Sequence, residues 1–363
     1  MIAADQVVER VLTRTRQLAA IPAPSFGEQD RAAVVRTWWN ERSTTVHIDD
    51  VGNVWARIRT GDGPAVVVAA HLDTVFGVDV EHGIVERDGR WWGPSVGDDT
   101  VAVAALDSLD DLLPPSVDAP VWLLATVGEE GTGNLLGIRH AVSAPPEPID
   151  AVIAIEGNWL GRICTIGVGS ARFRVEVAGP GGHAWEAADV QSAVHTVARM
   201  VAELDRTPRP PGGRTAINIG HISGGQAINV RAPSAAFEVD LRADSAAGLT
   251  ALTHRFDEVI ARERGDLDVT VHDLGFRPAG AIDADHPLVT AARTALGEIG
   301  IDAALTAAST DANAAHAAGL ASIAVGITVG AGEHTLDEWI DPSLVGNGIQ
   351  ALAATVSGYL RDR

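Results

Sequence analysis

Five short clusters of acidic or histidine residues fall at the ends of apolar runs or in the loops after them. They are His71-Leu72-Asp73, Gly97-Asp98-Asp99, Gly128-Glu129-Glu130-Gly131, Ile155-Glu156-Gly157 and Gly332-Glu333-His334. Residues i and i+2 of an extended chain point to the same side, so Asp73 can hold the second ring nitrogen of His71 and fix its tautomer. Taken singly, each cluster has a plain structural reading: a strand-end histidine as a hydrogen-bonder, the Asp-Asp and Glu-Glu pairs as solvated turns. Taken together, they draw imidazoles and carboxylates from distant parts of the chain, as divalent metals require. The carboxylates of Asp98, Glu130 and Glu156, with one bridging hydroxide, would balance two zinc ions and leave two neutral histidines. Glu129 would then be free to move protons.

The elements that must position these residues follow from periodicity. DQVVERVLTRTRQLAAI and GEQDRAAVVRTWWNE read as helices, the first stopping before Pro22 and Pro24. VHIDDVGNVWARIRTGDGPAVVVAAH reads as three strands, the last a continuous apolar run suited to a doubly covered central strand and ending at His71. Then DTVAVAALDSLDDLL reads as a helix, VWLLATVGEE as a strand, GNLLGIRHAVSA as a helix and AVIAIEG as a strand. This alternation points to a mainly parallel α/β sheet, whose strand ends are where open sheets carry their sites.

After Gly167 the character changes. ARFRVEVAG, RTAINIGHISGG, SAAFEVDLRA and LDVTVHDLG read as strands, with helices near 188–206 and 246–264. This β-α-β-β-α-β order predicts a ferredoxin-like α+β insertion over 168–279, within a discontinuous domain of 1–167 and 280–363. RTPRPPGGR, at 206–214, is a loop of the insertion. Beyond Pro278, HPLVTAARTALGEIG, TDANAAHAAGL, ASIAVGI and a final helix near Leu360 restore the helix-strand pattern.

Composition narrows the function classes. A formal net charge of -21 argues against nucleic-acid binding, which depends on clustered basic residues. All 27 basic residues are arginine, which fits a bias in base composition better than a function. One cysteine, Cys164, excludes an intramolecular disulfide, and no apolar stretch has the length of a transmembrane helix. With no signal-like segment at the start, the expected location is cytoplasmic.

At these clusters the chain resembles the M20 family of metallopeptidases and aminoacylases, and the resemblance covers essentially the whole sequence. It implies a zinc-peptidase catalytic domain carrying an inserted lid and dimerisation domain. By the family pattern His71 would bind one metal with Glu156, His334 the other with Glu130, and Asp98 would bridge them. Asp73 would orient His71, and Glu129 would be the general base. The peptide between Asp98 and Asp99 would be cis. In the insertion, Gly179-Pro180-Gly181-Gly182-His183 resembles the turn whose histidine reaches the partner subunit's site to stabilise an oxyanion. Asn229 and Arg242 match lid positions near the substrate's carbonyl or carboxylate, where an arginine fork suits a carboxylate.

The resemblance therefore implies a homodimeric amide hydrolase with two Zn2+, for which Co2+ or Mn2+ could substitute. Its substrates would be N-acyl amino acids or short peptides with a free C-terminal carboxylate. Thr100-Val101 stands where many members have Lys-Gly, and Trp185 where glycine is common. Glu156 in place of aspartate leans toward carboxypeptidases and deacylases. Trp185 and Trp159 each have two readings, one facing the pocket and one packing the fold. Asp311 reads first as the cap of the helix after it. The alternatives are a di- or tripeptide aminopeptidase on the same scaffold, or a metal-binding or ligand-sensing relative without catalysis.

Overall fold

The strand Ala65–His71 is buried along its whole length. Its side chains divide by parity, with Val66, Val68 and Ala70 entering the largest apolar cluster and Ala65, Val67 and Ala69 entering a second one. A strand with apolar neighbours on both faces must lie in the middle of a covered sheet, as the computed structural model shows. The structure describes residues 4–43, 45–210 and 212–361; Pro211, in the loop read at 206–214, lies outside them.

The chain divides into two compact units, residues 1–167 with 281–363 and residues 168–280. In the first, the sheet runs in the order Val46–Ile48, Val54–Arg59, Val121–Thr126, Ala65–His71, Ile149–Ile155, Ala321–Val325, Arg162–Gly167, with Ala304–Ala308 beside the last of these. The four strands from Val121–Thr126 to Ala321–Val325 run parallel. Helices Ala4–Ala19, Pro287–Glu298 and Val345–Arg361 contribute Val7, Leu288 and Leu352 to the larger cluster. Helices Leu136–Ser143 and Ala312–Ala317 place Ile138 and Ala315 against Trp55 and Trp122 on the other face.

Two readings are corrected here. The single helix expected over 99–113 is a π-helical turn, Val96–Val101, followed by Ala102–Ala105 and Ser108–Leu112. Hydrogen bonds from Leu106 to Val103 and from Leu109 to Leu106 wind the chain more tightly between the two α segments. The second correction is a small sheet that periodicity did not reveal. Val85–Arg87, Arg90–Trp92, Gly330–Ala331 and Trp339–Ile340 pair antiparallel, and the last two frame the loop that carries His334. Strands this short offer too few residues for a period to register.

The second unit has the expected β-α-β-β-α-β order: Gly169–Ala178, Ala193–Asp205, Thr215–Gly224, Ser234–Ala243, Ala246–Glu263 and Asp268–Arg277. Its antiparallel sheet places Thr215–Gly224 and Asp268–Arg277 at the edges. Both helices cover one face, where Phe173 and Phe256 stack at 4.7 Å. This is a ferredoxin-like arrangement.

Candidate metal centre

Adjacent parallel strands end at His71, at Thr126 and at Ile155. The loops beyond the last two carry Glu129 with Glu130, and Glu156, so neighbouring strand ends converge their polar side chains without further folding. Gly128 makes the turn before the glutamate pair with φ 61°, a left-handed value that a side chain would strain. Asp98 arrives on the π-helical turn, and the Asp98–Asp99 peptide is cis. His334 comes from the hairpin loop of the small sheet.

The five acidic or histidine residues at the strand ends and the turn, His71, Asp98, Glu129, Glu130 and Glu156, are each 2% to 9% exposed. His71 Nε2 lies 2.9 Å from Asp98 Oδ1, and His334 Nε2 lies 3.1 Å from Asp98 Oδ2 and 3.0 Å from Glu130 Oε1. Two groups follow, His71 with Asp98 and Glu156, and Asp98 with Glu130 and His334, each with ligand atoms within 4.8 Å of one another. Asp98 belongs to both, one oxygen facing each histidine. A third group joins His71 to Glu129 and Glu130.

Would these residues hold divalent cations? Donors about 2.0–2.2 Å from one ion stand roughly 3 Å apart, as these do, and the mixed imidazole and carboxylate set suits zinc and its neighbours. The electrostatics agree. Burial, then the charges of Asp98 and Asp99, push the Glu156 carboxyl well above the usual carboxylate range. Burial opposes ionisation of Asp98 as well, but His334 and His71 draw it below that range. Buried carboxylates crowded this closely must either take up protons or keep their charge beside a cation, since an unpaired charge away from water is very costly.

Behind these candidates lies a layer of buried carboxylates that accept backbone N–H groups. Asp73 Oδ1 accepts the N–H of Glu129 and Oδ2 that of Glu130, both at 2.9 Å, and Ser25 Oγ donates to it at 2.6 Å. His71 Nδ1 faces the Asp73 carbonyl oxygen at 3.0 Å and its carboxylate at 3.6 Å. The Asp73 carboxylate, expected to orient the ring, thus lies beside it while also accepting the backbone amides of the glutamate pair. Asp99 accepts from His71 N at 3.0 Å and Gly157 N at 2.9 Å. Glu28 accepts from Gly128 N at 2.9 Å. Glu338 accepts from the N–H groups of Gly97 and Asp98, each at 2.8 Å. Burial, with the charge of Asp98, pushes the Glu338 carboxyl well above the usual range.

Arg31 is buried in the same layer, donating to the carbonyls of Ile21 and Leu72 at 2.9 and 3.1 Å. Burial brings its pKa down to about 10, against the pull of Asp73 and Asp99. Sequence reasoning passed over Glu28, Arg31 and Glu338, and read Asp99 only as half of a turn pair. The available signals were Glu338 four residues after His334 and an acid directly after Asp98.

The remaining candidates divide. Asp311 stands at the N-cap position but its side chain makes no capping bond; its Oδ2 instead accepts from Thr126 Oγ1, at the end of a sheet strand, at 2.6 Å. Trp159 is half-buried with Arg162 over its ring at 5.7 Å, which favours packing. Trp185 is 85% exposed and packs no core. His183, Asn229 and Arg242 all belong to the second unit. Gly182–His183 pairs with Val230–Arg231, and Ala184 N donates to Asn229 O at 2.8 Å, so His183 and Asn229 share one exposed ribbon. Arg242, on strand Ser234–Ala243, donates from Nε to Asp240 Oδ2 at 2.9 Å.

The chain thus forms a covered α/β sheet with convergent acids and histidines at its strand ends, interrupted in sequence by a ferredoxin-like unit. Residues 67–358 match peptidase family M20/M25/M40, and the chain belongs to that family. It is 27% identical over 263 residues to a protein named "Probable carboxypeptidase" from Ajellomyces dermatitidis, covering 61% of this chain and 60% of the relative's length. Among solved structures it is similar to aminopeptidase PepT from Bacillus cereus, with TM-score 0.80, 20% identity and coverage of 97% and 98% of the two chains. It is also similar to the Bacillus subtilis YXEP protein, described as a dinuclear metal binding peptidase, with TM-score 0.75, 16% identity and coverage of 99% and 100%. No helix among the described residues is long and apolar enough to cross a membrane.

Proposed function

We propose that this chain is a two-zinc amide hydrolase acting on N-acyl amino acids or short peptides with a free C-terminal carboxylate. The observation that carries the reading is the sharing of Asp98 between two ligand groups, one oxygen toward His71 and the other toward His334. His71 and Glu156 would hold one ion, His334 and Glu130 the other, with Asp98 between them. Bound there, the ions would supply Lewis acidity, acidifying a water and polarising the scissile carbonyl.

The chain's own groups would do the rest. Glu129, whose backbone Asp73 fixes, takes the proton of the attacking water and returns it to the leaving amine. Proton transfer of this kind contributes about 10²–10⁴-fold to rate. His183 would stabilise the developing oxyanion from the partner subunit of a homodimer formed through the inserted unit, and Asn229 would lie near the substrate's carbonyl or carboxylate. Arg242 would anchor the substrate carboxylate.

One observation favours the aminopeptidase alternative: Arg242 already donates to Asp240, which competes for the anchor. Two matched substrate sets decide between them. Zinc-loaded protein should cleave N-acylated amino acids bearing a free carboxylate and spare free-amine peptides with an amidated C-terminus. Cleavage confined to the second set would make it an aminopeptidase and remove Arg242 as anchor.

A further inference from the structure

His334 differs from the other ligands in how it is held. Its side chain is 55% exposed against 3% for His71, and it sits in a hairpin loop at φ 63°, a left-handed conformation outside any helix or strand. Packing therefore does little to fix its place, and the hairpin's anchorage must do more. That anchorage centres on Glu338, four residues on and fully buried. Its carbonyl accepts the N–H of Gly93 at 2.9 Å, while its Oε1 accepts those of Gly97 and Asp98 at 2.8 Å each. Three bonds from one residue thus bind the segment that delivers Asp98 to the hairpin that delivers His334. A Cβ on Gly97 would lie 2.8 Å from Glu338 Oε1, so the glycine leaves room for the contact.

The other ligand group is held differently. His71 ends a central strand, and Asp99 ties its backbone to that of Gly157, next to Glu156. That group shares Asp98 with the hairpin's group, but its histidine is fixed by the central strand and not by the hairpin.

We propose that Glu338 is a positioning residue that sets the distance between Asp98 and His334, and so governs the affinity of the ion these two share with Glu130. It needs no charge for this. A carboxyl oxygen accepts the two N–H groups, and the reach of the side chain places that oxygen. The other oxygen, Oε2, is buried without a hydrogen-bond partner, so an amide nitrogen could occupy its position without breaking an existing bond.

The inference rests on the two-metal reading, and zinc titration of the metal-free protein by calorimetry separates the two. Glu156→Gln and His334→Ala assign the two binding steps. Glu338→Gln keeps the acceptor and should leave both steps near wild type. Glu338→Asp keeps the acid but falls one methylene short, and Glu338→Ala removes the acceptor; both should weaken the His334 step by roughly 10–100-fold, the usual effect of losing a partner behind a ligand, and spare the Glu156 step. If the alanine variant does not fold, the aspartate variant carries the test. An unaltered His334 step in the aspartate variant, equal loss at both steps, or a glutamine variant as weak as the aspartate one would overturn the role. Uptake of a single ion by the wild type would overturn the two-metal reading beneath it.

Discussion

Asp73 Oδ1 accepts the backbone N–H of Glu129 at 2.9 Å, and its second oxygen accepts that of Glu130 at the same distance. One carboxylate therefore sets the path of the proposed base and of a proposed ligand. In Asp73→Asn one acceptor becomes an NH2 group facing a backbone N–H, which cannot pair with it. We expect turnover to fall by roughly 10–100-fold with the fold intact, as for other partners behind metal ligands. Steady-state kinetics beside circular dichroism measure this, and unchanged turnover would count against Asp73 as the organiser of the loop.

Gly157 follows Glu156, and a Cβ placed on it would lie 2.2 Å from Gly97 O and 2.4 Å from Val101 Cγ1. The loops carrying Glu156 and Asp98 thus approach through bare backbone. Gly157→Ala should force them apart, costing about 1–3 kcal/mol as overpacking usually does. Denaturant unfolding of the metal-free variant reads this directly, and wild-type stability would refute the close approach.

Much of this site could be read in the sequence because strand periodicity and acid placement reinforce each other. The run AVVVAAH ends at His71 and AVIAI stops one residue before Glu156, and the sheet places both at neighbouring strand ends. The ferredoxin-like unit was legible for the same reason, its strands each running 10 residues. What escaped depends on contacts distant in sequence. Glu338 meets Gly97 across 241 residues, and Asp99 meets Gly157 across 58, so neither acid shows locally which amides it will serve. The hairpin around His334 escaped because Gly330–Ala331 and Trp339–Ile340 have only 2 residues each.

Away from the metal centre, burial lowers the pKa of His316 from 6.5 to about 4. The unfolded imidazole takes up a proton below about pH 6.5, whereas the folded one does so only near its lowered pKa. In that window the unfolded state binds more protons, so stability present above pH 6.5 is lost as pH falls toward about 4. His316→Gln should flatten this part of the stability profile of the metal-free protein. An acid branch as steep as that of the wild type would show that another group controls it.

Without metal, burial works against a charged His71, but its bonds to Asp73 and Asp98 raise its pKa well above the ordinary value. Bonds to Asp98 and Glu130 raise His334 to about 10. Both rings therefore carry protons at neutral pH that a bound cation must displace. Zinc uptake should release protons, weaken as pH falls, and raise the thermal midpoint by mass action, while chelation should reverse the gain. Calorimetry in buffers of different ionisation enthalpy counts the protons, and a buffer-independent heat would contradict displacement from these histidines.

The most direct test of the proposed two-metal hydrolase is Glu129→Gln, measured for metal content and turnover together. The account predicts the same two equivalents of zinc as the wild type and a loss of turnover of about 10²–10⁴-fold, the contribution of a general base. Full turnover with both ions bound would contradict the assignment of Glu129, and loss of the ions would make it a ligand rather than a base.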